Sequence, residues 1–432
     1  MRCLLVLLCV LFVFDSCRKE ITDTSQQKSV HIIGSSSNSV AYKIITLSDG
    51  GYALTGFVTN SKNKEIFVSK FSAEKKILWT KTYGEEKDEE GRSIIELKDG
   101  GFLVGGYTTS YLNESITAYL IRIDRDGNLL WHKTYPHKAS PGAPFNYDPL
   151  MLDQIHSCTD GSFNLYLYNG GQFRTVAGKY SIVRGQNYQY LEKIDVEGNS
   201  LKNSIFDIHI PGHIAARKSN IFGYPEQGTG SMKILEIALE PGNFTQPIYY
   251  FWNGKIDEIN LSYTRMDSIT IISGSPFLLG DNVWGYLFGL NIAISPSGGM
   301  VMSFVQAHRT YLVISDINGK NVSIKNFPGY MQGMNISQDG KIALTGVNDA
   351  DGSPKIMLLD PAGNLLWTKE VNCKTQFIGS NFFGSAAYWG SPSSVCFSKT
   401  GQIMAAFTIE SPNGGKTDIS VIHLNEKGEI KP

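Results

Sequence analysis

Several groups of residues have types and spacing that chemistry could use. His209-Ile210-Pro211-Gly212-His213 carries two histidines four apart. That spacing holds a metal when both rings leave one face of a helix. A Pro-Gly turn is not a helix, so the pair reads as two loop histidines. His156 and Cys158 share one face of a strand-like run, because strand side chains alternate. Two ligands are too few for a tetrahedral site, and the pair reads as coincidence. Glu85-Glu86-Lys87-Asp88-Glu89-Glu90 is acidic enough to attract calcium, which takes about six to eight oxygens; the preferred reading is a solvated loop. Beyond Cys17 the later cysteines are Cys158, Cys373 and Cys396. They lack metal-ligand spacing and cannot all pair with one another, so they read as buried free thiols. No Gly-rich phosphate loop or serine elbow is present. No metal and no cofactor are expected.

Aromatic residues form a second kind of candidate. Phe382, Phe383, Tyr388 and Trp389 lie in one long loop segment, Tyr147 in another, and Trp284 with Tyr286 in a third. Trp and Tyr offer flat apolar faces beside polar groups, which suits a sugar ring or a protein hot spot. The alternative is that these rings pin long loops onto the scaffold. Paired catalytic carboxylates cannot be picked out from the sequence.

The chain opens with Met1-Arg2 and an apolar run from Leu4 to Phe14. That run is too short to cross a bilayer, which needs about 20 residues, and has the length of a signal-peptide core. Phe14-Asp15-Ser16-Cys17 follows, a small residue directly before a cysteine. It resembles the lipobox of bacterial lipoproteins, in the looser form of the Bacteroidota, and Lys19-Glu20 resembles the charged surface-export tag of that group. The resemblance implies lipidation at Cys17 and an outer-membrane lipoprotein, surface-exposed or periplasm-facing. The resulting division is a signal peptide over 1–16, a polar tether over 17–29 and one domain over 30–432.

The elements that must position any site are repeated. Ser48-Asp49-Gly50-Gly51-Tyr52 and Lys98-Asp99-Gly100-Gly101-Phe102 lie about 50 residues apart, a repeat length of propeller blades. Each is flanked by short runs rich in β-branched and aromatic residues, four per unit, the composition of antiparallel blades. A second turn recurs as Asp124-Arg125-Asp126-Gly127-Asn128 and Asp360-Pro361-Ala362-Gly363-Asn364, followed by Trp131 and Trp367. The aspartates can cap their own turns and the glycines accept positive φ. The tryptophans should pack between neighbouring blades. Asp124, Gly127, Trp131, Asp360, Gly363 and Trp367 resemble the tryptophan-docking motif of quinoprotein-like propellers, and the Asp-Gly-Gly units resemble repeats of Bacteroidota propeller lipoproteins. The adjacent cysteine pair of quinoprotein dehydrogenases is absent, so the motif is read as structural.

The expectation is an all-β chain: a β-propeller of four-stranded antiparallel blades, eight favoured over seven. Degenerate blades are expected near Asn220–Tyr224 and near Ser268–Gly274. The last unit lacks its outer strand, and Val30–Gly34 is expected to supply it and hide the edge. Insertions gather on the face of the second-to-third strand and interblade connections: 84–91, 110–117, 136–154, 169–189 and 371–393. A rigid scaffold presenting long loops on one face is where function is expected.

Composition narrows the partners. Lys plus Arg number 39 and Asp plus Glu 40, a formal net charge of −1. Such a chain has no basic field for nucleic acid, and contact with a membrane is expected through the N-terminal lipid alone. The leading expectation is a non-enzymatic binding module for a glycan or protein partner in the outer-membrane layer. The alternative is a carbohydrate-active hydrolase or lyase with its site in the central funnel, and a structural scaffold is a third reading.

Overall fold

The computed structural model describes residues 30–33, 38–111, 116–138, 147–148, 150–169, 173–176, 179–182, 189–206, 220–226, 231–239, 249–257, 263–272, 288–306, 309–316, 321–348, 350–371, 393–411 and 416–430. Among these there is no helix. Six antiparallel sheets are each built from four strands in chain order. The first holds Ser39–Thr46, Tyr52–Thr59, Lys64–Phe71 and Ile77–Tyr83; the second holds Glu89–Glu96, Phe102–Thr108, Thr117–Ile123 and Leu129–Tyr135. The third begins at Leu150–Ser157, the fourth at Asn220–Glu226, the fifth at Phe288–Ile294 and the sixth at Tyr330–Ile336. A further sheet joins Ser393–Phe397, Ile403–Glu410 and Thr417–Leu424 to Val30–Ile33. Val30 pairs with Ile422 and Ile33 with Ile419, antiparallel. The fold class is an all-β propeller of four-stranded antiparallel blades.

The described residues therefore hold seven four-stranded sheets where the spacing favoured eight. The two stretches read as separate degenerate blades belong to one sheet: Asn220–Glu226 is its first strand and Tyr263–Ile272 its last. The next three sheets are spaced more widely than the first two units, beginning at Leu150, Asn220 and Phe288.

Except between the third and fourth sheets, the first strands of neighbouring sheets touch one another, so they line the axis. Buried apolar side chains fill the wedges between sheets. Phe67, Phe71 and Leu54 of the first sheet pack with Met404, Ile419 and Val421 of the last. Val68 and Ile66 meet Tyr119 and Ile121 of the second sheet. Leu120 of the second sheet meets Leu152, Leu165 and Leu167 of the third.

A repeated contact fixes neighbouring blades at their outer edges. Asp124 Oδ1 accepts from the amides of Asp126 (2.9 Å) and Asn128 (2.7 Å), and Asp360 Oδ1 does the same with Ala362 (2.9 Å) and Asn364 (2.8 Å). Gly127 and Gly363 hold positive φ in these turns. The tryptophan of one blade lies on the corresponding turn of the next. Trp79 Nε1 donates to Arg125 O (3.3 Å) and Trp367 Nε1 to Glu426 O (2.8 Å). Trp131 covers Gly198, where an added Cβ would stand 2.7 Å from the ring. Tyr83 and Tyr135 donate to the carbonyls of Gly127 (2.7 Å) and Gly198 (2.9 Å). Lys81 and Lys133 reach Asn128 (2.9 Å) and Asn199 (2.6 Å). The turn of Gly363 receives Lys325 Nζ at Asn364 (2.6 Å), and Ile314 rather than a tryptophan covers the glycine.

Candidate functional site

Four of the axial strands share one irregularity. In the first sheet Ala41 pairs with Gly56 and Lys43 with Thr55, leaving Tyr42 out of the ladder. The second sheet skips Arg92 in the same way, the third Asp153 and the sixth Gln332. An extra residue at one step of an inner strand bends it and re-aims a side chain. Neighbouring sheets cover both faces of these strands, so the exposure that remains opens along the axis. Lys43 and Asp153 are exposed there, and Tyr42, Arg92 and Gln332 are half-buried.

Glu90 anchors the densest part of this region. It is buried, and its carboxylate accepts from Lys64 Nζ (2.7 Å), Tyr42 Oη (3.0 Å) and Arg92 Nη2 (3.1 Å). The Arg92 guanidinium lies 4.9 Å from the centre of the Tyr42 ring and 5.7 Å from that of Tyr107. Burial alone would raise the Glu90 pKa; Arg92 and Lys64 outweigh it and hold it below the usual carboxylate value. Burial opposes the Arg92 charge, yet Tyr42 and Glu90 keep it above its ordinary value. Arg92 Nε is buried and donates to no described residue.

Beside this cluster, burial lowers the Lys43 pKa against the opposing pull of Cys396 and Asp153. Water reaches Lys43 along the axis while protein surrounds it on the other sides. His156 stands close enough for burial and the Lys43 charge to pull it down to about 4. Its Nε2 meets Gln154 Oε1 at 3.0 Å, and its ring is edge-on to Tyr166 at 5.1 Å. His156 is therefore neutral near pH 7. A second polar cluster lies between the first and second blades. His132 Nδ1 is 2.9 Å from Tyr119 Oη and 3.3 Å from Glu85 Oε1.

The acidic run is not a solvated loop throughout. The inner strand of the second blade begins at Glu89, and Glu89 and Glu90 are both buried. Glu89 accepts from Thr108 Oγ1 (2.5 Å), Ser110 Oγ (2.6 Å) and the Glu85 amide (2.9 Å). Likewise the expected insertion over 136–154 contains a two-residue pairing of His137–Lys138 with Tyr147–Asp148 and then the inner strand from Leu150. Among the described residues no group of three His, Cys, Asp or Glu converges as a metal site. Cys158 and Cys396 are buried thiols.

Of the aromatic candidates, Tyr147 lies in the short strand Tyr147–Asp148. Trp389, Tyr388, Phe382, Phe383, Trp284 and Tyr286 lie outside the described residues, as do Cys17, Cys373, His209 and His213. Two cavities open instead on the face of the short turns: about 290 Å³ beside Thr46, Ser48, Asn335 and Ser398, and about 670 Å³ beside Ser295, Asp316 and Asp339. Sequence reasoning missed Tyr42, Arg92, Asp153 and Gln332, which differ in type and share only their place in the ladder.

The fold and site define a β-propeller with charged and hydrogen-bonding side chains on its axis. No protein-family model matches the chain. No curated protein matches it. Among solved structures it is similar to Sqt1 from Chaetomium thermophilum, at 10% identity over 91% of this chain and 83% of that one, with a TM-score of 0.43. Another Sqt1 structure, bound to the N-terminus of the ribosomal protein L10, matches at 10% identity over 88% and 86%, with a TM-score of 0.41. An acylaminoacyl peptidase from Pyrococcus horikoshii matches at 9% identity over 89% of this chain and 51% of that one, with a TM-score of 0.45.

Proposed function

We propose that this chain is a lipid-anchored, exported binding propeller that takes a glycan at its axis. The observation that carries the reading is the shared ladder irregularity on the inner strands, with Tyr42, Arg92, Asp153 and Gln332 set at one level beside Lys43. Hydroxyl-rich ligands need several donors and acceptors at fixed positions in a concave site, and rigid strands hold them better than loops do. A protein partner is the other form of this reading. Binding to a glycan array by the full chain, weakened by Asp153→Ala, supports the axial site; a blank array with a reproducible protein pulldown replaces the glycan with a protein.

Lipidation at Cys17, a signal peptide over 1–16, a tether over 17–29 and an outer-membrane address belong to the same proposal and rest on the lipobox resemblance. Cys17→Ser should move the protein from the membrane fraction to the soluble one. An unchanged distribution would remove the anchor from the proposal.

A hydrolase or lyase is the second reading, favoured by Asp153, Lys43 and neutral His156 gathered near the axis. Glu90 is a poor acid catalyst, since three donors hold it as a carboxylate. Release of reducing ends from an oligosaccharide that binds would move the enzyme reading ahead.

A further inference from the structure

We infer that the axial ligand carries a carboxylate, as an acidic oligosaccharide does, and that Arg92 is the residue that receives it. The inference rests on the glycan reading. Arg92 leaves the ladder between the pairs Gly91–Gly106 and Ser93–Gly105. It is held before any ligand arrives: Glu90 takes a hydrogen from Nη2 at 3.1 Å, and the Tyr42 ring lies 4.9 Å away. A guanidinium fixed in this way loses little freedom on binding. Among the described residues Nη1 donates to no side chain or carbonyl, while the side chain remains 29% exposed. The end of the fork is thus open to the axis, and a planar carboxylate can take two parallel N–H bonds from it.

The one carboxylate that Arg92 does meet is shared, since Glu90 accepts from Lys64 Nζ and Tyr42 Oη as well. Asp153 does not pair with Arg92, since no ion pair forms between them within 4.0 Å. The other carboxylates on the Arg92 strand are engaged elsewhere, Glu89 by Thr108 and Ser110 and Glu96 by Ser48. Among the described residues no carboxylate meets the open end of the Arg92 fork.

The test is calorimetric titration of the full chain with a galacturonate oligomer and with its methyl ester, which has the same shape without the charge. The acid is expected to bind at least tenfold more tightly than the ester, and to weaken as salt rises. Arg92→Gln should lose at least tenfold for the acid and little for the ester. Arg92→Lys, which keeps the charge without the fork, should fall between. The comparison of acid with ester on the unaltered protein stands even where a variant fails to fold. Equal binding of acid and ester overturns the carboxylate inference and leaves the glycan reading intact. Binding of neither overturns both.

Discussion

Glu89 and Glu90 are consecutive, both buried, and displaced to opposite sides of the ordinary carboxylate pKa. They point to opposite faces of one strand. Glu90 meets Arg92 and Lys64, whose charges overcome the effect of burial. Glu89 meets hydroxyls and an amide, which soften the upward push of burial without reversing it. The sign of each contribution follows. The lowered Glu90 stabilises the fold above the unfolded carboxylate value near 4.3 and loses that contribution as pH falls through its folded pKa. The raised Glu89 favours the fold most when protonated, and that contribution fades as pH rises through its folded pKa. Glu90→Gln should cost about 2–4 kcal/mol at pH 7, because it leaves Arg92 and Lys64 without their counter-charge. Glu89→Gln should change stability by about 1 kcal/mol or less. Urea unfolding at pH 7 and pH 3 measures both, and the penalty of Glu90→Gln should shrink at the lower pH.

Glycines of the same backbone conformation should differ in tolerance. Gly161 and Gly198 both hold positive φ, at 84° and 76°. An added Cβ on Gly161 meets nothing within 4 Å, whereas on Gly198 it meets the Trp131 ring at 2.7 Å. Gly161→Ala should cost about 1 kcal/mol from the backbone alone. Gly198→Ala should cost about 2–4 kcal/mol, since the docked ring must also move. Thermal melts rank the two, and pairing Gly198→Ala with Trp131→Ala in a double-mutant cycle isolates the ring contact.

Asp160 is a third test. Lys193 Nζ, its side chain only 5% exposed, meets Asp160 Oδ2 at 2.8 Å. Burial, the largest single effect, raises the Asp160 pKa, and the combined pull of Lys193 and Ser162 outweighs it and brings it down to about 2. Its contribution is therefore present above the unfolded value near 3.9 and is lost as pH falls toward 2. Asp160 is itself well exposed, so solvent screens the pair and Asp160→Asn should cost only about 1 kcal/mol at pH 7. Chemical denaturation at pH 7 and pH 2 should show that difference closing.

Cys396 should resist thiol reagents in the folded protein. Burial pushes its pKa up to about 12, with Thr46 and Lys43 pulling weakly the other way, and the thiolate is the reactive species. Peptide mapping after labelling at pH 8 should find Cys396 unmodified until denaturant is added.

The fold was legible where a feature is local. Asp124 to Gly127 caps a turn with its own atoms, and Trp131 follows at a fixed offset, so residue types and spacing reveal both. The count of sheets was less legible, because Asn220–Glu226 and Tyr263–Ile272 lack the Asp-Gly turns that mark the others. The axial site was almost illegible. Tyr42, Arg92, Asp153 and Gln332 have no residue type in common, and what sets them apart is a missing partner on the adjacent strand. Glu90 looked like part of a solvated charge run because its counter-charge comes from Lys64, a strand in the preceding blade.

The pairing of Val30–Ile33 with Thr417–Leu424 makes completion of the last sheet wait on a contact between strands far apart in the chain. Until that contact forms both strands carry open edges, the places where strands from other chains can add. Contacts between such distant segments form slowly. A chaperone that shields such an extended segment would protect this protein most during that interval, and removal of Thr417–Leu424 would leave Val30–Ile33 without its neighbour.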